Sequence, residues 1–301
     1  MVLYADLTSR MKFTLFALLS VLLLFAFITQ LPDGKLHIYM CDVGQGDAIL
    51  ITYKTSQVLI DAGPNNSVQT CLSTHLPFWD RTIEAVVVTH ADSDHVFGFP
   101  KVFERFTVER VFITQIDSPT EVYQDVKKAI LESNARVYDA HLGQEMSIGE
   151  VKFKVLFPTH NFIEAYSESV NTTSQIGTRT TKKDRNDFSV VLSVTHGQFS
   201  ALFTGDTTEF AERAMLQDNL VPSAYFLKVP HHGSRNNLLQ PFLSAVSPVV
   251  SGISAGEKNR YGHPHQEILN LLEQQNSTIL RTDMHGESEI ATDGRRIWVS
   301  Q

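Results

Sequence analysis

A layered α/β fold built on mixed β-sheets is what this sequence predicts, and two observations carry it. Short strand-like apolar runs alternate with stretches of helical period between residues 31 and 301. Loops bearing His and Asp recur just after those apolar runs. In layered α/β proteins, loops at one end of a sheet converge and form the ligand site.

The chain opens with a mixed segment ending Arg10-Met11-Lys12. Phe13 to Ile28 follows, apolar apart from Thr14 and Ser20. That run is about 16 residues, short of the roughly 20 that span a bilayer comfortably. With basic residues before it, the pattern predicts a secretory signal or an uncleaved N-terminal anchor over residues 1–30. Positive charge on the N-terminal side would leave that end in the cytoplasm and send the rest outward. The rest of the chain, residues 31–301, is thus expected to be membrane-anchored or secreted, outside the cytoplasm.

Leu31-Pro32-Asp33-Gly34 reads as a turn. Leu36–Cys41, Ala48–Tyr53 and Val58–Ile60 read as strands and imply hairpins at a mixed sheet edge. The glycine turn Asp42-Val43-Gly44-Gln45-Gly46-Asp47 leads into a strand rather than a helix, so a dinucleotide-binding reading fails. Ala85–Val88 leads to a polar loop and then a helical run, Val96–Phe106. Val108–Thr114 is strand-like, and Thr120–Ser133 is an amphipathic helix with Val122, Val126, Ile130 and Leu131 on one face. Arg136–Tyr138, Met146–Ile148 and Val151–Phe157 are strands. Residues 159–186 are rich in Ser, Thr and Asn and read as a long loop, either a solvated insertion or a lid whose Lys182, Lys183 and Arg185 meet a phosphate. Phe188–Thr195 and Phe199–Phe203 form a hairpin, and Glu209–Gln217 a helix. Ala224–Val229 and Val246–Ser251 are strands, and Gln266–Glu273 is the last helix. Three short strands, 278–281, 287–291 and 297–299, close the chain.

The composition narrows the function. A formal charge of −8 is not that of a generic nucleic-acid binder. It leaves room for a nuclease, because bound metal ions bring positive charge to where a phosphate sits. The two cysteines, Cys41 and Cys71, form no CxxC pair. Cys41 reads as a small buried apolar residue, with a disulfide open only if the domain is exported.

The chemistry concentrates at Thr89-His90-Ala91-Asp92-Ser93-Asp94-His95, where four ligand side chains fall within six residues at a strand-to-helix junction. Imidazoles alternating with carboxylates suit zinc, manganese or iron better than calcium. His90 and Asp92 would face one ion, Asp94 and His95 a second. Two ions about 3.5–4 Å apart can activate a water and clamp a phosphoester. Asp206 follows Phe203-Thr204-Gly205 and is placed to bridge the ions. By itself it would read as a helix N-cap with Glu209 three residues on. His231, His232 and His263 would complete the shells, and Lys228 would help offset charge. A lone loop His is ordinarily a solvated side chain, and His37, His75, His141, His160, His196 and His285 read that way.

Seven motifs in order resemble the metallo-β-lactamase superfamily, and within it the hydrolase domain of ComEC-type competence proteins. They are Asp42-Val43-Gly44-Gln45-Gly46-Asp47, Leu59-Ile60-Asp61-Ala62-Gly63, the residue 89–98 loop, Asn186-x-x-Ser189, Phe203-Thr204-Gly205-Asp206, His231-His232-Gly233-Ser234 and Asn259-x-Tyr261-Gly262-His263-Pro264. The resemblance implies an αββα sandwich of two mixed β-sheets with outer helices. It implies two divalent ions, zinc or manganese, on His90, Asp92, Asp94, His95, Asp206, His231 and His263. Asp94, His232 and His263 would serve catalysis, with Asp61 and Asn186 supporting from behind. Asp92 stands where the wider superfamily has His, and no third-motif His is evident between residues 96 and 205 unless His160 or His196 serves. The implied activity is hydrolysis of a phosphodiester or nucleic acid. The same site suits hydrolysis of a lactone, thioester or β-lactam. An anchored binding protein without turnover is the non-enzymatic alternative.

Overall fold

The computed structural model describes the backbone of residues 2–301 and the side chains of residues 11–301 except 26 and 29. The side chains of residues 1–10, where the expected N-terminal segment begins, lie outside the described residues.

Two mixed sheets make the domain. The first has eight strands in the order 297–300, 288–292, 36–40, 49–53, 56–60, 85–88, 110–113 and 136–139. The second has seven, in the order 278–281, 250–253, 226–228, 199–203, 191–196, 151–157 and 145–148. Period-two alternation decides how they stack. Ile49, Ile51, Val58, Ile60 and Val87 point to a core shared with Phe153, Val194, Phe203 and Phe226 of the second sheet. Their neighbours Leu50, Leu59, Val86 and Val88 point the other way. There they meet helices 68–75, 99–105 and 121–132 through Leu72, Phe99, Val102 and Val126. The second sheet is covered likewise, Leu202, Leu227 and Ile253 packing on helices 209–217, 240–246 and 266–274 through Met215, Phe242 and Ile268. This is the αββα sandwich the motifs imply. Strands buried on both faces explain why runs such as Ala85–Val88 are apolar throughout.

Several elements differ from the sequence reading. The segment 159–186 is not structureless. It holds a helix, His160–Tyr166, capped by Thr159, a small strand pair at 168–169 and 179–180, and the start of a 3₁₀ turn, Arg185–Phe188. The helical run from Val96 breaks into Ser93–Val96 and Phe99–Arg105. At Gly98 the chain passes so close to Ala62 that a Cβ would sit 2.2 Å from its carbonyl oxygen. Helices Val68–His75 and Gln240–Val246 were not evident from periodicity, since both are short and the second carries a proline, Pro241, in its first turn. The latter pushes the expected strand at 246–251 to Val250–Ile253.

Cys41 and Cys71 are disulfide-bonded, with Cα atoms 5.8 Å apart. The reading of Cys41 as a free apolar residue gives way because helix 68–75 lays Cys71 against the end of strand 36–40.

Residues Val2–Thr29 form one helix. Its apolar side chains stand in the open, Phe13 at 75% and Leu15 at 70% exposure. Among the described residues, no helix is long and apolar enough to cross a membrane. The apolar run of about 16 residues rises only ~24 Å, against a hydrocarbon core of ~30 Å.

Candidate metal centre

Five loops meet at the carboxyl ends of strands. Asp61 ends strand 56–60, His90–His95 follow strand 85–88, Asp206 follows 199–203, and His231-His232 follow 226–228. The fifth loop, after strand 250–253, brings Ser254 and His263. The glycine turn 42–47 lies beneath. Gly46 lacks a Cβ because one would meet the Asp94 carbonyl oxygen at 2.1 Å, and Asp47 N donates to that same oxygen at 3.3 Å.

One donor from each of Asp94, His95, Asp206 and His232 falls within 4.8 Å of all the others. His95 Nε2 lies 3.2 Å from Asp206 Oδ1, and His232 Nε2 lies 3.4 Å from both Asp94 Oδ2 and Asp206 Oδ2. Each imidazole is held through its other nitrogen. His95 Nδ1 donates to Asp61 Oδ2 at 2.7 Å, and His232 Nδ1 to the Ser254 carbonyl at 3.0 Å. Those bonds put the lone pairs on the Nε2 atoms, as ligand histidines require.

Among the described residues, His90 Nε2, His95 Nε2, His232 Nε2 and Asp206 Oδ1 are buried and lack a hydrogen-bond partner. Orphaned buried polar atoms are costly unless something else satisfies them. Two imidazole nitrogens and two carboxylates make a donor set for zinc, manganese or iron. The residues present therefore fit a divalent ion.

Electrostatics agree. Burial raises the Asp206 carboxyl, but the His232 and His95 charges outweigh it and hold it well below the usual range. Burial disfavours charged His95 and His232, yet Asp206, with Asp61 for one and Asp47 for the other, holds both well above an ordinary imidazole. His90 goes the other way, lowered by burial and then by His95.

The remaining expected residues are placed less uniformly. His90 Nε2 stands 4.0 Å from Asp206 Oδ2, and the His90–His95 and His95–His232 ring centroids are 4.2 and 5.3 Å apart. Of the neighbouring pair, His232 joins the four-donor group, whereas His231 sits at the rim, its Nε2 3.7 Å from Asp206 and its Nδ1 bonded to Asn237. His263 is half-buried. Its ring centroid is 6.3 Å from that of His232, Gln45 Nε2 reaches its Nδ1 at 3.3 Å, and burial among histidines pushes it down to about 4. Asp92 pairs with Arg185 rather than entering the group. Asn186 is buried with Oδ1 unpartnered. Thr208, not Asp206, caps helix 209–217. His160 and His196 are outside the donor group, and buried His196 packs on Tyr53.

Lys228 is not available to substrate. It is fully buried, paired with Asp47 at 2.8 Å and donating to the Val229 carbonyl. Asp47 in turn lies 3.4 Å from His232 Nδ1. The sequence reading missed this pair. The signal was a lysine inside the apolar run Phe226-Leu227-Lys228-Val229, which needs a buried partner.

Residues 41–133 match the family model described as the metallo-beta-lactamase superfamily. The chain is 29% identical over 286 residues to ComE operon protein 3 of Bacillus subtilis, covering 88% of this chain and 34% of that protein. It is 27% identical over 275 residues to competence protein ComA of Neisseria gonorrhoeae, covering 89% and 34% respectively. The chain thus spans about a third of the length of these curated relatives. Among solved structures, the metallo-beta-lactamase fold protein YhfI from Bacillus subtilis superposes with a TM-score of 0.53 at 9% identity, covering 88% of this chain and all of that one. That likeness is one of fold.

Proposed function

We propose, from the premise that this chain carries a metallo-beta-lactamase superfamily domain related to ComEC-type competence proteins, that it is a metal-dependent phosphodiesterase or nuclease. The observation that carries the reading is the convergence of partnerless, buried His95 Nε2, His232 Nε2 and Asp206 Oδ1 with Asp94 around one point. When bound, a divalent ion supplies a water acidified from pKa 15.7 toward about 7 and a Lewis acid for a phosphoryl oxygen.

The chain's residues do the rest. Asp61 and the Ser254 carbonyl fix the two ligand imidazoles. Asp94 is the most open member of the donor group, its side chain 34% exposed, and takes the proton of the attacking water. His231, at the rim, gives a proton to the leaving oxygen. His263, lowered to about 4, stays neutral near pH 7 and suits a ligand or hydrogen-bonding role rather than proton delivery. The competence relatives favour a nucleic-acid phosphodiester as substrate.

The apolar N-terminal helix and the Cys41–Cys71 disulfide support placement outside the cytoplasm, tethered or released at the membrane, since disulfides persist in oxidising compartments. The test strips the protein with chelator and restores manganese or zinc. Bis(p-nitrophenyl) phosphate, single-stranded DNA, a lactone, a thioester and nitrocefin are then assayed side by side. Metal-dependent cleavage of the first two alone is expected. Full activity in Asp94→Ala or His95→Ala overturns the reading.

A further inference from the structure

Asp92 belongs to the alternating ligand loop, yet its Oδ1 accepts from Arg185 Nε at 3.2 Å and from Nη2 at 3.0 Å. Arg185 comes from the 3₁₀ turn that closes the 159–186 insertion, and Asp184 fixes that turn by accepting from Asn186 N at 3.1 Å. What remains beside His90 is its unpartnered Nε2, the shared Asp206, and a carboxylate whose charge is already met.

We propose that this centre holds one divalent ion, on Asp94, His95, Asp206 and His232. Arg185, carried by Asp92, stands in for a second ion and binds a substrate oxyanion beside His90. The oxyanion role rests on the phosphodiesterase reading above; the one-ion centre does not.

Charge supports it first. Arg185 meets the charge of Asp92, Lys228 that of Asp47, and Asp61 is engaged by Thr89 and His95, so the carboxylates left facing the His95 and His232 Nε2 atoms are Asp94 and Asp206, two charges for one divalent ion. The pairing is also durable. A guanidinium does not deprotonate, and an ion entering at Asp92 must displace two charge-assisted hydrogen bonds. Lastly, the guanidinium has donors to spare. Two of its five N–H groups serve Asp92, and its side chain is 34% exposed, so a phosphoryl oxygen can reach the rest.

The experiment loads the chelator-stripped full chain with Mn²⁺ or Zn²⁺ and reads stoichiometry by titration calorimetry and elemental analysis. One ion per chain is expected for the wild type and for Arg185→Lys, which keeps the charge. Arg185→Met is expected to add a second, weaker binding phase. It should also raise KM for bis(p-nitrophenyl) phosphate about tenfold or more, with kcat changed less. Circular dichroism shows whether the variants fold. Two ions of like affinity in the wild type, or a folded Arg185→Met with one ion and unchanged KM, overturns the proposal. A one-ion centre that ignores every phosphodiester upholds the metal assignment and rejects the phosphodiesterase reading instead, because stoichiometry is read without turnover.

Discussion

The Asp61 carboxylate holds His95 through a 2.7 Å bond to Nδ1 and also accepts from the backbone N and hydroxyl of Thr89, at 2.8 and 2.6 Å. One fully buried side chain thus fixes both the His95 imidazole and the start of the loop that carries it. Asp61 is itself in the left-handed region, at φ 57°, where Asp and Asn are tolerated far better than β-branched residues. Asp61→Asn therefore isolates the chemistry: the backbone is kept, while an NH₂ group replaces an acceptor facing donors. Metal affinity should fall roughly 10–100-fold with the fold retained. Chelator competition reads this, and unchanged affinity would show that His95 needs no such support.

The ion must compete with protons. In the ion-free protein, Asp206 with Asp61 or Asp47 outweighs burial and raises His95 and His232, so both imidazoles keep protons at pH values where a free His has lost them. Binding a divalent cation expels those protons. Affinity should consequently rise with pH through the neutral range and continue rising until the raised pKa values are passed. Calorimetry in two buffers of different ionisation enthalpy gives the proton count. Binding that releases no protons contradicts the arrangement.

Much of this was legible in the sequence, for a physical reason. His90–His95, Asp206 and His231-His232 stand out as candidate donors by residue type and by the apolar run before each, and the fold brings Asp94, His95, Asp206 and His232 together. Choosing His232 over His231 was not legible. It depends on two consecutive residues in the left-handed region, φ 49° and 55°, which turn only the second imidazole inward toward the Ser254 carbonyl. The engagement of Asp92 by Arg185 was equally hidden, because the partners are 93 residues apart and one lies in a segment of no clear periodicity. Short helices such as 68–75 bury too few apolar positions to show a period, and with that helix the Cys41–Cys71 pairing was lost as well.

That disulfide spans a sequence separation of 30. Closing a loop of such length in the unfolded chain is worth about 3–4 kcal/mol by the chain-entropy argument. Cys41→Ser with Cys71→Ser should lower Tm by roughly 10 °C, and reduction of the wild type should produce a similar shift. The metal centre should still load at lower temperature, since neither sulfur is among its donors. A Tm unmoved in the double variant would mean that the disulfide does not form in the native protein.

Glu212 gives the fold a pH dependence separate from the metal. It lies on helix 209–217 with no exposure, accepts from Leu239 N at 2.6 Å through Oε2, and has Oε1 unpartnered. Burial drives its carboxyl well above the model-peptide value of 4.5, against the Leu239 bond. The folded state therefore keeps a proton that the unfolded chain gives up between 4.5 and the raised value. Stability from this group is fully present below 4.5 and is lost as pH rises through the folded pKa. Glu212→Gln keeps the shape without the titration. Its Tm should match the wild type near pH 4.5 and exceed it increasingly as pH rises from there toward the raised folded-state value, in parallel melts of the two proteins. A constant difference across that range would mean that Glu212 is ionised throughout, with a cation or water reaching Oε1.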